Sequence, residues 1–258
     1  MKTLIGMIHL AALPGTPRAE LSVAEIARRA VVEARIYREA GFPAVLIENM
    51  HDTPYLAREV GPEIVAAMTV AAQAVRAEFL GKIGLQILAG ANEAALAVAH
   101  ACELQFIRAE AFTFGHVADE GWMDACAGPL LRYRRSIGAE AVEVWTDIKK
   151  KHASHSLTAD ISIGETAAAA EYMGANAVIV TGRVTGDAPN ADDFTNLRSH
   201  TKLPVVIGSG ISEANVSQLW PLADGFIVGS SLKLGGHWRG ELDDAAVQKM
   251  AELAASLS

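Results

Sequence analysis

The stretch VVIGSGISEANVSQLWPLADGFIVGSSLK, residues 205–233, contains two short apolar runs, Val205–Ile207 and Phe226–Val228. Small residues follow each run at once, as Gly208-Ser209-Gly210 and Gly229-Ser230-Ser231. Such a turn directly after a buried parallel strand lets an anion approach free backbone N–H groups. Two of them, one strand apart near the end of the chain, predict the phosphate site that follows strands 7 and 8 of a TIM barrel. The alternative is that these glycines only make tight turns.

Six further runs rich in aliphatic residues precede this stretch and alternate with helical patterns. Strict alternation of strand and helix is typical of a parallel sheet covered by helices. Eight such units in 258 residues, without a change of composition, predict an α/β fold with one (β/α)8 barrel spanning residues 1–258 as a single domain. No Gly-x-Gly-x-x-Gly follows the first run, which argues against a dinucleotide-binding sheet. The six earlier predicted strands are Leu4–Ile8, Ala44–Glu48, Lys82–Leu88, Gln105–Ala109, Ala141–Thr146 and Ala177–Val180.

Composition narrows the class of protein. Apolar residues make up 51% of the chain and charged residues 20%, which is typical of a globular protein. The net charge of −8 argues against nucleic acid as a partner. No run reaches the ~18 apolar residues of a membrane span. His9 and Pro14 interrupt the apolar start of the chain, which favours a first strand over a signal peptide.

The two cysteines, Cys102 and Cys126, do not form a CxxC motif. They predict free thiols in a reducing cytoplasm, with a disulfide as the less favoured alternative. Tryptophans at positions 122, 220 and 238 fall in predicted loops. They indicate subunit contacts, and hence a homo-oligomer, although loop tryptophans also line pockets.

Polar residues end several predicted strands, where the active site of this fold lies. Alternation along strand 5 puts Trp145, Asp147 and Lys149 on one face, which we expect to point into the barrel. Arg108 on strand 4 would share that interior. A buried charge needs a partner, so we predict that Arg108 pairs with Asp147 or Glu143. The segment of residues 110–121 is long for a strand-to-helix loop, so we expect it to carry function.

Carboxylate and imidazole groups near the phosphate turns suit proton transfer. A lysine at a strand end can bind an anion or form a Schiff base, although the run of lysines at 149–151 also suits a solvated surface. No spacing typical of metal ligands occurs, so we predict no metal ligand and no definite cofactor, and a divalent metal stays optional. The predicted catalytic residues are Glu48, Asp147, Lys151 and His152, and the predicted substrate-binding residues are His9, Asp52, Arg108, Lys149, Thr181 and Thr185.

Several blocks together resemble the BtpA/SgcQ family: IGMIHLAALPGTPR at 5–18, LIENMHDTPY at 46–55, LLRYRR at 130–135 and ADGFIVGSSLK at 223–233. The resemblance covers nearly the whole chain and implies a TIM barrel. The family name comes from a role in photosystem I biogenesis, and other members lie with sugar-uptake and sugar-phosphate genes. Met50-His51 and Glu110 depart from the pattern that we expect for the family, and the extra carboxylate of Glu110 implies a different substrate.

These observations predict an enzyme that acts on a small phosphorylated metabolite, a sugar phosphate above all, by proton transfer as an isomerase or an aldol-type lyase. A Schiff-base aldolase is less favoured because strand 6 ends in Thr181, which leaves only Lys149, Lys151 or Lys233 as candidates. The alternatives are a hydrolase or transferase acting on a nucleoside or nucleotide at the same phosphate site, and a non-catalytic assembly factor. The carboxylates at the strand ends favour an enzyme.

Overall fold

The computed structural model of the chain describes residues 2–150, 152–181 and 191–257. Within them, eight parallel strands close into a barrel, because the last strand pairs with the first at Thr3 and Gly225. This confirms the predicted fold class. Strands β1 to β8 are Thr3–His9, Ala44–Glu48, Lys82–Gln86, Phe106–Ala109, Glu143–Ile148, Ala177–Val180, Val205–Ile207 and Gly225–Val228.

Helices connect successive barrel strands. Pro62 opens the second helix, where a missing N–H costs no hydrogen bond, and Asp243 caps the last one by accepting from the N–H groups of Ala245 and Ala246. No helix in the described part of the chain is long and apolar enough to cross a membrane. Helices α1 to α8 are Val23–Glu39, Pro62–Glu78, Asn92–Ala101, Ala127–Ser136, Ile163–Tyr172, Ala191–His200, Val216–Leu219 and Asp244–Ser256.

The barrel strands are buried on both faces, which explains why the sequence shows them as continuous apolar runs. Their outer faces pack against the helices, and their inner faces fill the barrel. Phe106 and Trp145 stack inside it with ring centroids 3.9 Å apart. Gly84 makes room for this pair, since a Cβ there would lie 2.2 Å from the Phe106 ring.

An antiparallel sheet of three short strands, which the sequence did not predict, joins the loops after β4 and β5. Its strands are His116–Ala118, Gly121–Met123 and Ala153–Ser154. Because Gly121–Met123 is extended, α4 begins only at Ala127. The β5 strand also runs two residues further than predicted, so that Asp147 lies inside it.

Candidate active site

A cavity of about 640 Å³ lies at the carboxyl ends of the barrel strands. Each strand, or the residue directly after it, contributes to the lining, as the fold leads one to expect. The polar wall therefore comes from segments that are far apart in the sequence. One lining residue from each strand, in the order β1 to β8, is His9, Glu48, Gln86, Arg108, Asp147, Thr181, Gly208 and Gly229.

The two Gly/Ser turns predicted to bind phosphate open into this one cavity. The Ser231 hydroxyl donates to the carbonyl of Ile211 at 2.6 Å, which ties the two turns together. Asn215 supports the first turn, because its side chain donates to the Gly210 carbonyl at 2.7 Å. Among the described residues, the backbone N–H groups of Gly210, Ile211 and Ser230 have no protein acceptor within hydrogen-bonding distance. These turns therefore offer unused donors to an anion.

Arg108 and Asp147 form the predicted ion pair, with N–O distances of 2.8 and 2.9 Å. Both residues are buried, and both carboxylate oxygens of Asp147 accept from the guanidinium. The alternative partner, Glu143, accepts from the Trp145 indole at the start of β5 instead. A Cβ on Gly208 would lie 3.5 Å from Nη2 of Arg108, so the guanidinium sits beside the first phosphate turn.

His9 and Glu48 lie side by side at the ends of β1 and β2, with 3.6 Å between Nε2 and Oε2. Both side chains are buried and line the cavity. Tyr55 lies in the same wall, and burial raises the pKa of its phenol, which therefore stays protonated at neutral pH. The arrangement brings a carboxylate and an imidazole together at a water-poor site.

Glu110 and Lys150 form a second buried ion pair in the cavity wall, 3.0 Å apart. Burial raises the pKa of the Glu110 carboxyl, and Lys150 partly opposes that shift. Gln86 donates to the other carboxylate oxygen of Glu110 at 3.2 Å. In the sequence, Glu110 departs from the pattern expected for the family, whereas Lys150 has no predicted role in the site.

Lys149 lies outside this cavity, contrary to the alternation expected along β5. The strand ends at Ile148, and Lys149 adopts a positive φ of 47°, so the two-residue period stops there. Its ammonium donates to the carbonyl of Thr158 at 2.6 Å. Lys150 therefore reaches the cavity in its place. The other candidates from these loops, Lys151 and Thr185, lie outside the described residues.

Asp52 does not line the cavity, although the sequence analysis placed it among the substrate-binding residues. It is buried and accepts from the Leu13 N–H at 2.8 Å and from the Asn49 side chain at 2.7 Å. Burial raises the pKa of the Asp52 carboxyl, while these two hydrogen bonds lower it. Asp52 thus fixes the loops after β1 and β2.

His152 and Thr181 do line the cavity. His152 is half exposed at the rim, where its Nδ1 lies 3.8 Å from the carboxylate of Asp119. Asp119 and Glu120 come from the turn of the accessory sheet, and Trp238 comes from the loop before α8. His152 was a predicted catalytic residue and Trp238 a predicted loop tryptophan, whereas only the length of the 110–121 segment pointed to Asp119 and Glu120. Among the described residues, no group of three or more His, Cys, Asp or Glu side chains could hold a metal ion.

The sequence profile of the BtpA family matches residues 1–256. The chain belongs to the BtpA family. The resemblance seen in the sequence is therefore confirmed, and it spans all the strands that build the cavity.

Two relatives show how widely the family extends. An uncharacterized mitochondrial protein of Caenorhabditis elegans, F13E9.13, is 46% identical over 251 residues, which cover 95% of this chain and 90% of the relative. The photosystem I biogenesis protein BtpA of Synechocystis is 32% identical over 255 residues, covering 98% of this chain and 88% of the relative. The first name places that relative in mitochondria, whereas the composition of this chain predicts a cytoplasmic location.

Solved structures share the fold at low identity. Mycobacterium tuberculosis tryptophan synthase superposes with a TM-score of 0.64 and 17% identity, covering 98% of this chain and 92% of the other. Thermus thermophilus phosphoribosyl anthranilate isomerase gives a TM-score of 0.58 and 15% identity, with both chains covered completely. At such identities the likeness shows the barrel fold and nothing about the reaction.

Proposed function

We propose that this member of the BtpA family is an enzyme that acts on a small phosphorylated metabolite, with sugar phosphates as the substrate class. In this proposal it moves a proton beside a carbonyl group, as an isomerase or an aldol-type lyase does. One observation carries the proposal: two Gly/Ser turns with unused N–H donors and a buried carboxylate–imidazole pair share a single cavity. A phosphate held on these turns would fix the reacting carbon near that pair.

The phosphate end is supported by charge as well as by geometry. The unused N–H groups of Gly210, Ile211 and Ser230 suit a phosphate oxygen, and Arg108 adds a positive charge beside Gly208. Asp147 keeps that guanidinium in place. The name of the Thermus isomerase describes a phosphoribosyl substrate on the same fold, which agrees with this assignment.

The acid–base end is assigned to Glu48 and His9. In the proposed reaction, Glu48 takes the proton from carbon, and His9 beside it holds the carboxylate and exchanges a proton with the substrate oxygen. Asp147 is assigned to positioning Arg108, because both of its oxygens are already bound. His152 at the rim is the second acid–base candidate, and Lys151 remains a prediction from the sequence.

The first test is thermal denaturation against sugar phosphates of three to six carbons, with the unphosphorylated sugars as controls and with and without Mg²⁺. We expect at least one phosphate ester to raise the melting temperature, while its parent sugar does not. The ester that binds is then incubated with the enzyme in D₂O and followed by NMR. Wild type should exchange a carbon-bound proton for deuterium.

The Glu48→Gln variant should bind the same ester and lose this exchange. The exposed Glu140→Gln variant serves as the control and should exchange at the wild-type rate. The proposal is rejected if no phosphate ester stabilises the protein, or if Glu48→Gln exchanges as fast as wild type.

A second candidate, a non-catalytic assembly role, is favoured by the name of the Synechocystis relative. Two buried ion pairs in one cavity argue against it, because burying charges is destabilising and an assembly factor that acts through its surface does not require such pairs. Nucleotides belong in the same binding panel, since a nucleoside or nucleotide hydrolase or transferase would use the same phosphate turns. A response to nucleotides alone would favour that reaction class.

A further inference from the structure

Glu110 organises a small polar group in the part of the cavity wall that β3 and the loops after β4 and β5 form. Its two carboxylate oxygens accept from different side chains, Lys150 at 3.0 Å and Gln86 at 3.2 Å. Asn92 fixes the backbone of Glu110 from both sides, donating to its carbonyl at 2.8 Å and accepting from its N–H at 3.2 Å. Glu110 therefore sets the orientation of both Lys150 and Gln86.

Gln86 presents an acceptor that the protein leaves unused. Its amide nitrogen is bound to Glu110, so its oxygen, Oε1, is directed away from that carboxylate. The side chain lines the cavity and is only 1% exposed, and within the described residues Oε1 has no hydrogen-bond partner. A buried carbonyl in this state is destabilising until a donor reaches it. A ligand hydroxyl is such a donor.

Lys150 presents donors at the other oxygen of the same carboxylate. Its ammonium carries three N–H groups, and Glu110 is its one acceptor among the described residues. The Lys150 side chain is buried against the cavity. The remaining donors suit an oxygen atom that gains negative charge.

We propose that Lys150 and Gln86 together recognise an α-hydroxycarbonyl group, which makes the substrate an open-chain phosphorylated hydroxyketone or hydroxyaldehyde. Lys150 donates to the carbonyl oxygen, and Gln86 accepts from the neighbouring hydroxyl. This inference rests on the proposed function and narrows its substrate class. Because both groups are held by Glu110, their spacing is fixed before the substrate arrives.

The same contacts give Lys150 a part in the chemistry. When Glu48 removes the proton from the carbon that bears the hydroxyl, the electron pair of the C–H bond forms a C=C bond. The electron pair of the C=O bond then moves onto oxygen, and the ammonium of Lys150 stabilises that oxyanion. His9 then takes the proton of the neighbouring hydroxyl, which becomes the new carbonyl, and gives a proton to the oxyanion beside Lys150. Glu48 returns the carbon-bound proton to the adjacent carbon, so the isomerisation is complete and needs no oxidant or other reactant.

The test compares each carbonyl compound with the alditol phosphate that lacks only the carbonyl. The pairs are dihydroxyacetone phosphate with glycerol 3-phosphate, ribulose 5-phosphate with ribitol 5-phosphate, and fructose 6-phosphate with glucitol 6-phosphate. Calorimetry on the wild-type protein should show at least tenfold tighter binding of the carbonyl member in one or more pairs. Equal affinities in all three pairs would overturn the inference.

Variants of Lys150 and Gln86 test whether these residues cause the preference for the carbonyl compound. Lys150→Met should remove the preference for the carbonyl compound and leave alditol binding within twofold, whereas the exposed Lys249→Met should leave the preference intact. Gln86→Leu should weaken both members of a pair at least fivefold. If Lys150→Met does not fold, Lys150→Arg keeps the charge beside Glu110 and should reduce the preference by displacing the donor.

Inorganic phosphate separates this inference from the function on which it rests. If wild type binds inorganic phosphate but shows no carbonyl preference, only the roles of Lys150 and Gln86 are wrong. If it binds neither inorganic phosphate nor any ester, the proposed function itself fails. A Lys150→Met variant that weakens alditol and carbonyl compounds equally would also overturn the inference, because Lys150 would then act on the fold or on the phosphate.

Discussion

Arg108 and Asp147 are joined by two parallel hydrogen bonds across β4 and β5, at 2.8 and 2.9 Å. Arg108 lies opposite Trp145 in the strand register, so Asp147 is two residues further along β5 on the same inward face. The pair thus reaches diagonally across neighbouring strands at the mouth of the barrel. It neutralises a buried guanidinium and keeps it directed at the cavity.

Removing one member of this pair should leave an uncompensated buried charge. We expect Asp147→Ala to lower the free energy of unfolding by about 3–5 kcal/mol, measured by urea denaturation. Glu143 lies on the same strand as Asp147, and its partly exposed carboxylate is 3.6 Å from Lys82 on β3. Glu143→Ala should lower the free energy of unfolding by about 1 kcal/mol or less. If the two variants lose similar free energies of unfolding, the Arg108–Asp147 pair stabilises the fold no more than an exposed ion pair does.

Gly210 should matter for phosphate binding beyond its effect on the backbone. Its φ of 73° is in the left-handed region, so Gly210→Ala should lower stability by roughly 1–2 kcal/mol. Gly41 has a φ of 81° with nothing within 4 Å of a Cβ, which makes Gly41→Ala a control for strain alone. Titration with inorganic phosphate should show at least tenfold weaker binding in Gly210→Ala and unchanged binding in Gly41→Ala.

His116 should make stability depend on pH. Burial lowers the pKa of this imidazole to about 4, with further lowering by Lys150, from an ordinary value of about 6.5. As the pH falls, His116 therefore becomes protonated in the unfolded chain at a higher pH than in the folded protein. The contribution of neutral His116 to stability is fully present above pH 6.5 and is lost progressively as the pH falls towards 4.

Urea midpoints measured between pH 7 and pH 4 test this dependence. Carboxylates contribute to the slope in every variant, so the informative quantity is the difference between variants. His116→Gln should show a shallower decline than wild type, and the exposed His100→Gln on α3 should follow the wild-type slope. Parallel curves for wild type and His116→Gln would contradict the assignment.

Lys233 should act as a structural residue rather than a Schiff-base lysine. It follows the second phosphate turn, is only 3% exposed and donates to Glu33 on α1 at 2.6 Å. Lys233→Met should lower the free energy of unfolding by about 3 kcal/mol or more, because Glu33 is left buried without its cation. Lys249→Met, which removes a surface pair with Glu213, should cost about 1 kcal/mol or less. Borohydride trapping at Lys233 in the presence of a carbonyl substrate would contradict this role.

The sequence predicted the barrel and much of the cavity because strands buried on both faces leave a continuous apolar pattern. Val205–Ile207 and the small residues after it could be located without any tertiary information. Alternation within β5 also predicted the Arg108–Asp147 pair correctly. The bounds of helices α6 and α7 and the whole accessory sheet went unpredicted, because short segments with mixed polarity carry little periodic signal.

By itself, the sequence determined the number and order of the barrel strands and the position of the two Gly/Ser turns. Only the tertiary structure decided which loop residues reach the cavity: Lys150 does so rather than Lys149, and Glu110 lines it, while Asp52 does not. The physical reason is that side-chain alternation is fixed by backbone hydrogen bonding only within a strand. Beyond Ile148 the strand pattern ends, and the backbone conformation depends on contacts such as that of Lys149 with Thr158, which side-chain alternation does not encode.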